Sequence, residues 1–430
     1  MNVLKRLVKG LLFAFSFVVL LVMKMLQPFI RFQLCVIGFH RYGHLALEPE
    51  IFLAEREIIK ATNASSKRVI SVWSLGPVAK QSNKYLASKW KQELLVFPSW
   101  FVSSLHSVGS VFPVLKLNEP KLSITGSMNG LDKTASHVSF TANEIEEGKK
   151  GLVKIGINPD KPYVCLIVRD GGHYKSKGEI ESAGYEVLNF DINNFSGVAE
   201  ALIESGFQVI RMGSGSERPF TSRPDGVVDY ALSKNRSEFL DIYLAATCEF
   251  AVSTQTGPDA VCMLFRRPVL YVDVTRYCQF FFGSKLATWS PVRLQKNGST
   301  LNLSEIVNSE IAWFKDPNLF SKNGISQQKT SSSELKELVR SYIRARGSED
   351  EKALPFAEAE PGATGLELLL SLALKWSQDS KVPLSRAIAT MTHEAARVLK
   401  QDMGELKVGA QADVCILDPE AHWQVTAENL

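Results

Sequence analysis

Apolar positions along the chain fall into three patterns. In residues 10–23 they run unbroken, after Lys5, Arg6 and Lys9; Lys24 interrupts, and apolar residues continue to Ile30. The unbroken run is shorter than the ~20 residues a spanning helix needs, but counted through a snorkelling Lys24 it reaches that length. No small-x-small cleavage site follows it. Residues 1–30 are therefore expected to attach the chain to a membrane. They would do so as a single spanning anchor or as an interfacial helix whose basic residues meet lipid phosphates. A fully buried helix fits the same pattern.

The second pattern alternates short apolar runs with amphipathic stretches. Residues 32–37 read as a buried strand, 38–43 as a loop and 45–59 as a helix. A second strand is expected over 68–73 and a third over 94–96. Residues 116–145 are rich in Ser, Thr and Asn, as a linker is, with a helix over 144–153. Strands follow at 163–168, 207–210, 227–230, 250–252 and 268–272. Helices are expected at 194–205, 237–246 and 260–265, with Gly206 ending the first. Repeated β-loop-α-β predicts an α/β fold with parallel sheets, here as two Rossmann-like lobes, 31–140 and 141–320. Residues 321–349 are read as linker and helix, with a charged break at 347–352. In the third pattern, 350–430, helical apolar faces (Leu368, Leu369, Leu372 and Leu374; Ala387, Ile388, Ala395, Val398 and Leu399) precede a short apolar strand.

Length and charge narrow the classes. The chain has 430 residues, enough for two or three domains, and a net charge of +4, too small to argue for nucleic acid. Its six cysteines show no CxxC pairing and several sit in apolar runs, which suits buried thiols in a reducing compartment. The seven histidines include no HxH or HExxH, so no metal-ligand spacing is visible.

Candidate chemistry collects at strand ends. In 248–259, CEFAVSTQTGPD, an apolar strand runs into Ser253, Thr254, Thr256, Gly257 and Asp259. An ordinary capped turn fits these residues. So does a phosphate cradle, because a helix start offers unpaired N–H groups and Gly257 admits close approach. Arg169, Asp170 and His173 follow one strand; Arg211 and Gly213 follow another. Arginine at the carboxyl edge of a parallel sheet can fork onto phosphate oxygens or form a rim salt bridge. Arg41, Gly43 and His44 occupy the equivalent edge of the first lobe. His44, Glu48, Asp170 and His173 are candidate bases among which the sequence does not choose.

These residues also carry a resemblance. RYGHLALEPEIFL, VCLIVRDGGHY, VIRMGSG, VVDYALSKNRSEFLDIYLAATCEFAVSTQTGPDAV and RRPVLYVD, in that order across 32–307, resemble a family of bacterial glycosyltransferases associated with surface polysaccharide synthesis. The resemblance implies a GT-B-type pair of lobes around a nucleotide-sugar cleft. Arg169, Arg211, Gly213 and the 253–259 loop would lie at the donor diphosphate, with Arg41, Gly43 and His44 facing them. It further implies a glycan or polysaccharide acceptor and no cofactor or obligatory metal. The basic residues before the apolar run and the free cysteines beyond it place the expected membrane surface at the cytoplasmic face of the bacterial inner membrane. One departure stands out: where a Tyr-Arg-Asn run is expected, this chain has GYEVLN at 184–189, with no arginine.

The tail is similar to a different family. PFAEAEPGATGLE, TxxAARVL and GxxADVCILDP match the carboxyl end of bacterial dihydroorotases in order, over 350–430. The zinc ligands that family requires do not precede residue 350, so the segment is expected to be non-catalytic, a fragment joined by gene fusion or by an assembly artefact that runs two reading frames together. Three functions therefore compete: a metal-independent glycosyltransferase, a dihydroorotase-like zinc amidohydrolase lacking its metal site, and a non-catalytic nucleotide-sugar-binding scaffold.

Overall fold

The computed structural model describes residues 2–62, 68–122, 130–172, 188–216, 218–275, 277, 284–314, 316, 318–353 and 369–398. It divides into two compact units, Met1–Ile343 and Arg344–Leu430. The first unit is α/β, with two lobes that each hold a parallel sheet, and an apolar helix at its start.

That helix, α1 (Asn2–Met25), is followed by β1 (Ile30–Val36), α2 (Tyr42–Thr62), β2 (Arg68–Ser74), α3 (Lys84–Glu93) and α4 (Ser99–Val111). β1 and β2 pair in parallel. Single parallel bridges widen the sheet on each side, Gln33 with Asn118 and Trp73 with Val96, so the expected strand over 94–96 contributes one bridge. The edge is irregular there because Pro98, which has no N–H for a ladder, follows at once and caps α4. Within the expected linker, Leu117, Leu131 and Val138 are buried, and α5 (Ala142–Lys154) opens on a capping box between Thr141 and Glu144.

The second lobe holds β3 (Tyr163–Ile167), β4 (Gln208–Met212), β5 (Val227–Asp229), β6 (Ala251–Ser253), β7 (Val269–Val274) and β8 (Ala287–Pro291). They form one parallel sheet in the order β5-β4-β3-β6-β7-β8. β3 is buried along its whole length, as the continuous run YVCLI requires of a central strand covered on both faces. Three further strands, β9 (Arg293–Lys296), β10 (Ser299–Thr300) and β11 (Ile325–Gln328), make a small antiparallel sheet. The stretch 321–349 thus supplies β11 and the start of helix Ser332–Ala353, whose Leu335 and Val339 are buried against the large sheet. This helix runs through the expected break at 347–352. Asp, Glu and Lys are tolerated in helices and Gly347 costs only about 1 kcal/mol.

One apolar core joins the lobes, from Leu45, Ile51, Trp73 and Trp90 to Leu240, Leu244, Val261 and Leu264. Helix Asp259–Leu264 packs on α2, and helix Glu238–Thr247 on α3. In the second unit the described helices are Leu369–Asp379, Leu384–Met391 and His393–Val398, with Ala387 and Ala389 buried. The expected strand over 409–419 lies outside the described residues.

Candidate functional site

In the first lobe the chain leaves β1, turns at Gly38 and enters α2. One helical turn separates His44 from Glu48, so both side chains share a face. Glu48, nearly buried, accepts the Gly38 N–H at Oε2 (2.7 Å), and its Oε1 lies 2.6 Å from His44 Nδ1. A carboxylate oxygen accepts, which assigns the proton to Nδ1 and leaves the Nε2 lone pair open. Nε2 has no hydrogen-bond partner among the described residues, and the ring is 25% exposed. A Cβ on Gly38 would stand 2.8 Å from His44 Cβ, so only glycine lets the ring settle there. A histidine oriented by a buried carboxylate can take a proton from a hydroxyl. Arg41, on the same loop, is exposed and has no side-chain partner among the described residues.

In the second lobe the strand order reverses direction between β3 and β6. Ligands of open α/β sheets bind at the carboxyl ends beside such a switch point. Arg169 follows β3 there: its N–H donates to Thr254 Oγ1 (3.0 Å) and its Nε to Asn189 Oδ1 (3.0 Å). Lys329, just past β11, joins this edge. Its Nζ donates to the Asn189 carbonyl and lies 4.0 Å from the Phe190 ring centroid. Burial lowers the Lys329 pKa, opposed by Asp273. Asp273, at the end of β7 with φ +50°, accepts from Thr330 N–H and Oγ1. Its own pKa is raised by burial and lowered by the Thr330 hydrogen bonds.

The two lobes touch where the 253–259 loop meets the first residues of α2. A Cβ on Gly257 would lie 3.0 Å from Tyr42 Cβ and 3.4 Å from Gly43 N. Gly257 therefore allows the second-lobe loop to close on the turn that carries Arg41 and His44.

Other expected site residues are placed differently. Arg211 is fully buried and does not line the edge. It bridges Asp229 (3.0 Å) and Asp170 (3.5 Å) and donates to the Arg218 carbonyl. Asp170 is held by Arg211 and by the Gly172 N–H, which removes it as a free base. The 253–259 loop is closed on itself, so it is not an open phosphate cradle. Asp259 Oδ2 accepts Ser253 Oγ (2.6 Å) and Thr256 N–H (2.7 Å), Ser253 Oγ accepts Gln255 N–H, and Thr254 N–H donates to Ile167 O. The helix that follows has six residues, with a carboxylate folded over its start. Burial raises the Asp259 pKa from 3.8 to about 6 against the Ser253 and Thr256 hydrogen bonds. Gly213 packs under Ser216, and His173 lies outside the described residues. Among the described residues no three His, Cys, Asp or Glu side chains are placed to hold a metal.

Asn189 and Lys329 were not expected at this site. Both reach it through contacts across 20 and 140 residues, respectively, which no local pattern announces.

No family model matches the chain. It is similar to the dihydroorotase of Citrifermentans bemidjiense, 43% identical over 81 residues, 19% of each chain. It is also similar to a dihydroorotase-like protein of Pseudomonas aeruginosa, 42% identical over 71 residues, 16% of this chain and 17% of that one. The chain thus spans about a fifth of the length of these curated relatives. Among solved structures it is similar to Escherichia coli ADP-heptose lps heptosyltransferase II (12% identity, TM-score 0.39, 67% of this chain and 98% of that one). A glycosyl transferase family 9 protein of Veillonella parvula gives 9% identity and a TM-score of 0.39, over 61% of this chain and 86% of that one. The iron-containing dodecameric glycosyltransferase TibC of enterotoxigenic E. coli gives 12% and 0.33, over 74% and 77%.

Proposed function

We propose that the first unit is a glycosyltransferase moving a sugar from a nucleotide-sugar donor to a glycan or polysaccharide acceptor, without metal, at the cytoplasmic face of the bacterial inner membrane. The observation that carries the reading is the His44–Glu48 pair in the first turns of α2, whose start Gly257 meets from the opposite lobe. In this reading His44 Nε2 takes the proton of an acceptor hydroxyl. The hydroxyl oxygen bonds to the anomeric carbon, and the bond from that carbon to the diphosphate oxygen breaks. Arg169 and Arg41 meet the charge left on the departing diphosphate. The tail contributes no zinc chemistry.

The test incubates the full chain with a panel of nucleotide sugars, with and without a chelator, and measures nucleoside diphosphate release and thermal shift. Release that survives chelation and is lost in His44→Ala supports the proposal. No binding and no release with any donor would refute it. The absence of an arginine from 184–189 favours a second reading, a nucleotide-sugar-binding scaffold, which would give a thermal shift without release.

A further inference from the structure

Over residues 10–23 helix α1 is apolar nearly all round, yet only one of its faces is covered by protein. Leu20 is fully buried, and Leu12, Phe13, Phe17 and Met23 pack with it against Val102, Leu105 and Val108 of α4 and Phe32 and Leu34 of β1. Ser16 Oγ donates to Ser104 Oγ at 2.9 Å. The opposite face, Leu7, Leu11, Phe15, Val18, Val22 and Met25, recurs at helical spacing and is exposed, Leu11 by 73%. The exposed surface continues beyond α1. Phe15 contacts Phe101, the neighbour of the exposed Trp100, and Phe17 contacts Phe112, which precedes Val114, 85% exposed. The chain holds no Asp or Glu before Glu48, and none across 94–118, so the two stretches that build this face carry no carboxylate. Arg6, Lys9, Lys24 and Arg31 supply positive charge; Glu119, just past the second stretch, is paired with His106 at 2.8 Å.

We propose that the outer face of α1, together with Trp100, Val111, Phe112 and Val114, is a platform that lies in the plane of an anionic lipid bilayer and does not span it. This rests on the membrane placement proposed above and fixes its mode. A helix about 36 Å long could cross a bilayer only by leaving α4. That would bare Phe101, Val102, Leu105 and Val108, at about 1.5–3 kcal/mol for each buried side chain. Seated in the interface, α1 keeps that packing, sinks its outer face among acyl chains and leaves its basic residues at the phosphates.

The test cosediments the full chain with phosphatidylcholine vesicles, with and without phosphatidylglycerol. The variants are Trp100→Glu, Val114→Glu and, as a control on an exposed residue elsewhere, Trp313→Glu. All three sites are exposed, so thermal melts are expected to match the wild type. The platform predicts stronger binding to the anionic vesicles. It also predicts a loss of partition of about tenfold or more in each of the first two variants, and no change in the third. Wild-type partition in both would overturn the in-plane platform while sparing membrane placement, because a helix acting alone does not use Trp100 or Val114. No vesicle binding by the wild type would overturn both. A lipid-free dimer split by Val18→Glu, without vesicle binding, would assign the face to a second copy of the chain.

Discussion

Replacing Glu48 by glutamine should separate catalysis from folding. The carboxylate holds two donors, Gly38 N–H at 2.7 Å and His44 Nδ1–H at 2.6 Å. In Glu48→Gln the amide oxygen can keep Gly38, while the NH2 group turns to His44 Nδ1. That bond forms only if the imidazole moves its proton to Nε2. The structural cost is two charge-assisted hydrogen bonds exchanged for neutral ones, about 1–2 kcal/mol. The chemical cost is larger, because Nε2 then carries a hydrogen and cannot accept the acceptor's proton. General-base losses of roughly 10²–10⁴-fold follow from removing such a group or fixing the wrong tautomer. The assay is nucleoside diphosphate release in the presence of acceptor, with donor affinity measured by calorimetry on the same preparations. His44→Ala should show a similar loss. The double variant should be little worse than either single one, since the two residues act as a unit. A Glu48→Gln protein with turnover within about threefold of wild type, or a loss accounted for by weaker donor binding, would refute the assignment of His44 as base.

The arginines should behave oppositely. Arg169→Ala should weaken nucleoside diphosphate binding by about 1.5–3 kcal/mol by calorimetry, whereas Arg211→Ala should lower unfolding stability by roughly 3–5 kcal/mol in urea, having left the Asp229 and Asp170 carboxylates buried without their partner. Gly257→Ala places a Cβ 3.0 Å from Tyr42 Cβ and should cost about 1–3 kcal/mol in the same melts; Gly43→Ala meets Ala260 at an ordinary 3.6 Å and should not. Asp259 has a folded pKa raised to about 6 from 3.8, so its contribution to stability is full below about pH 4 and is lost as pH rises through about 6. Asp259→Asn can keep both hydrogen bonds on its amide oxygen. It should match the wild type at pH 4 and exceed it by up to about 3 kcal/mol at pH 8, as urea melts at the two pH values would show. His137, whose pKa is raised chiefly by its hydrogen bond to Glu50, should add stability that is lost as pH rises through its folded value, a loss absent from His137→Phe.

Strand positions were legible in the sequence wherever an apolar run stands between turn residues, as in YVCLIV and PVLYV. Those runs lie in β3 and β7, each buried along its length. What the runs could not give is the order of strands. The reversal between β3 and β6 is made by contacts between residues more than 80 apart, Cys165 with Ala251 and Ile167 with Ser253. Position at that switch point is what raises Arg169 above the other basic residues. Likewise ISQQKT has a single apolar residue, so β11 exists because β9 offers it an edge and Ile325 a buried slot. The same pairing delivers Lys329 to Asn189.

The two arginines show why residue type at a strand end is insufficient. Both were expected just beyond an apolar run. β3 stops at Ile167, so Arg169 stands clear of the ladder and its side chain can turn to the edge. β4 continues to Met212, and Arg211 lies inside the ladder between Leu166 of β3 and Asp229 of β5. Alternation along the strand then fixes its direction: Val209, two residues earlier, packs in the cluster beneath helix Ser332–Ala353, and Arg211 shares that face. A guanidinium committed to the interior needs a counter-charge at once, and the residue directly opposite in register is Asp229. The signal was present as an acidic residue closing VVD. It could be read only once β4 and β5 were known to be neighbours in that register, where a shift of one residue would have turned Arg211 to the other face.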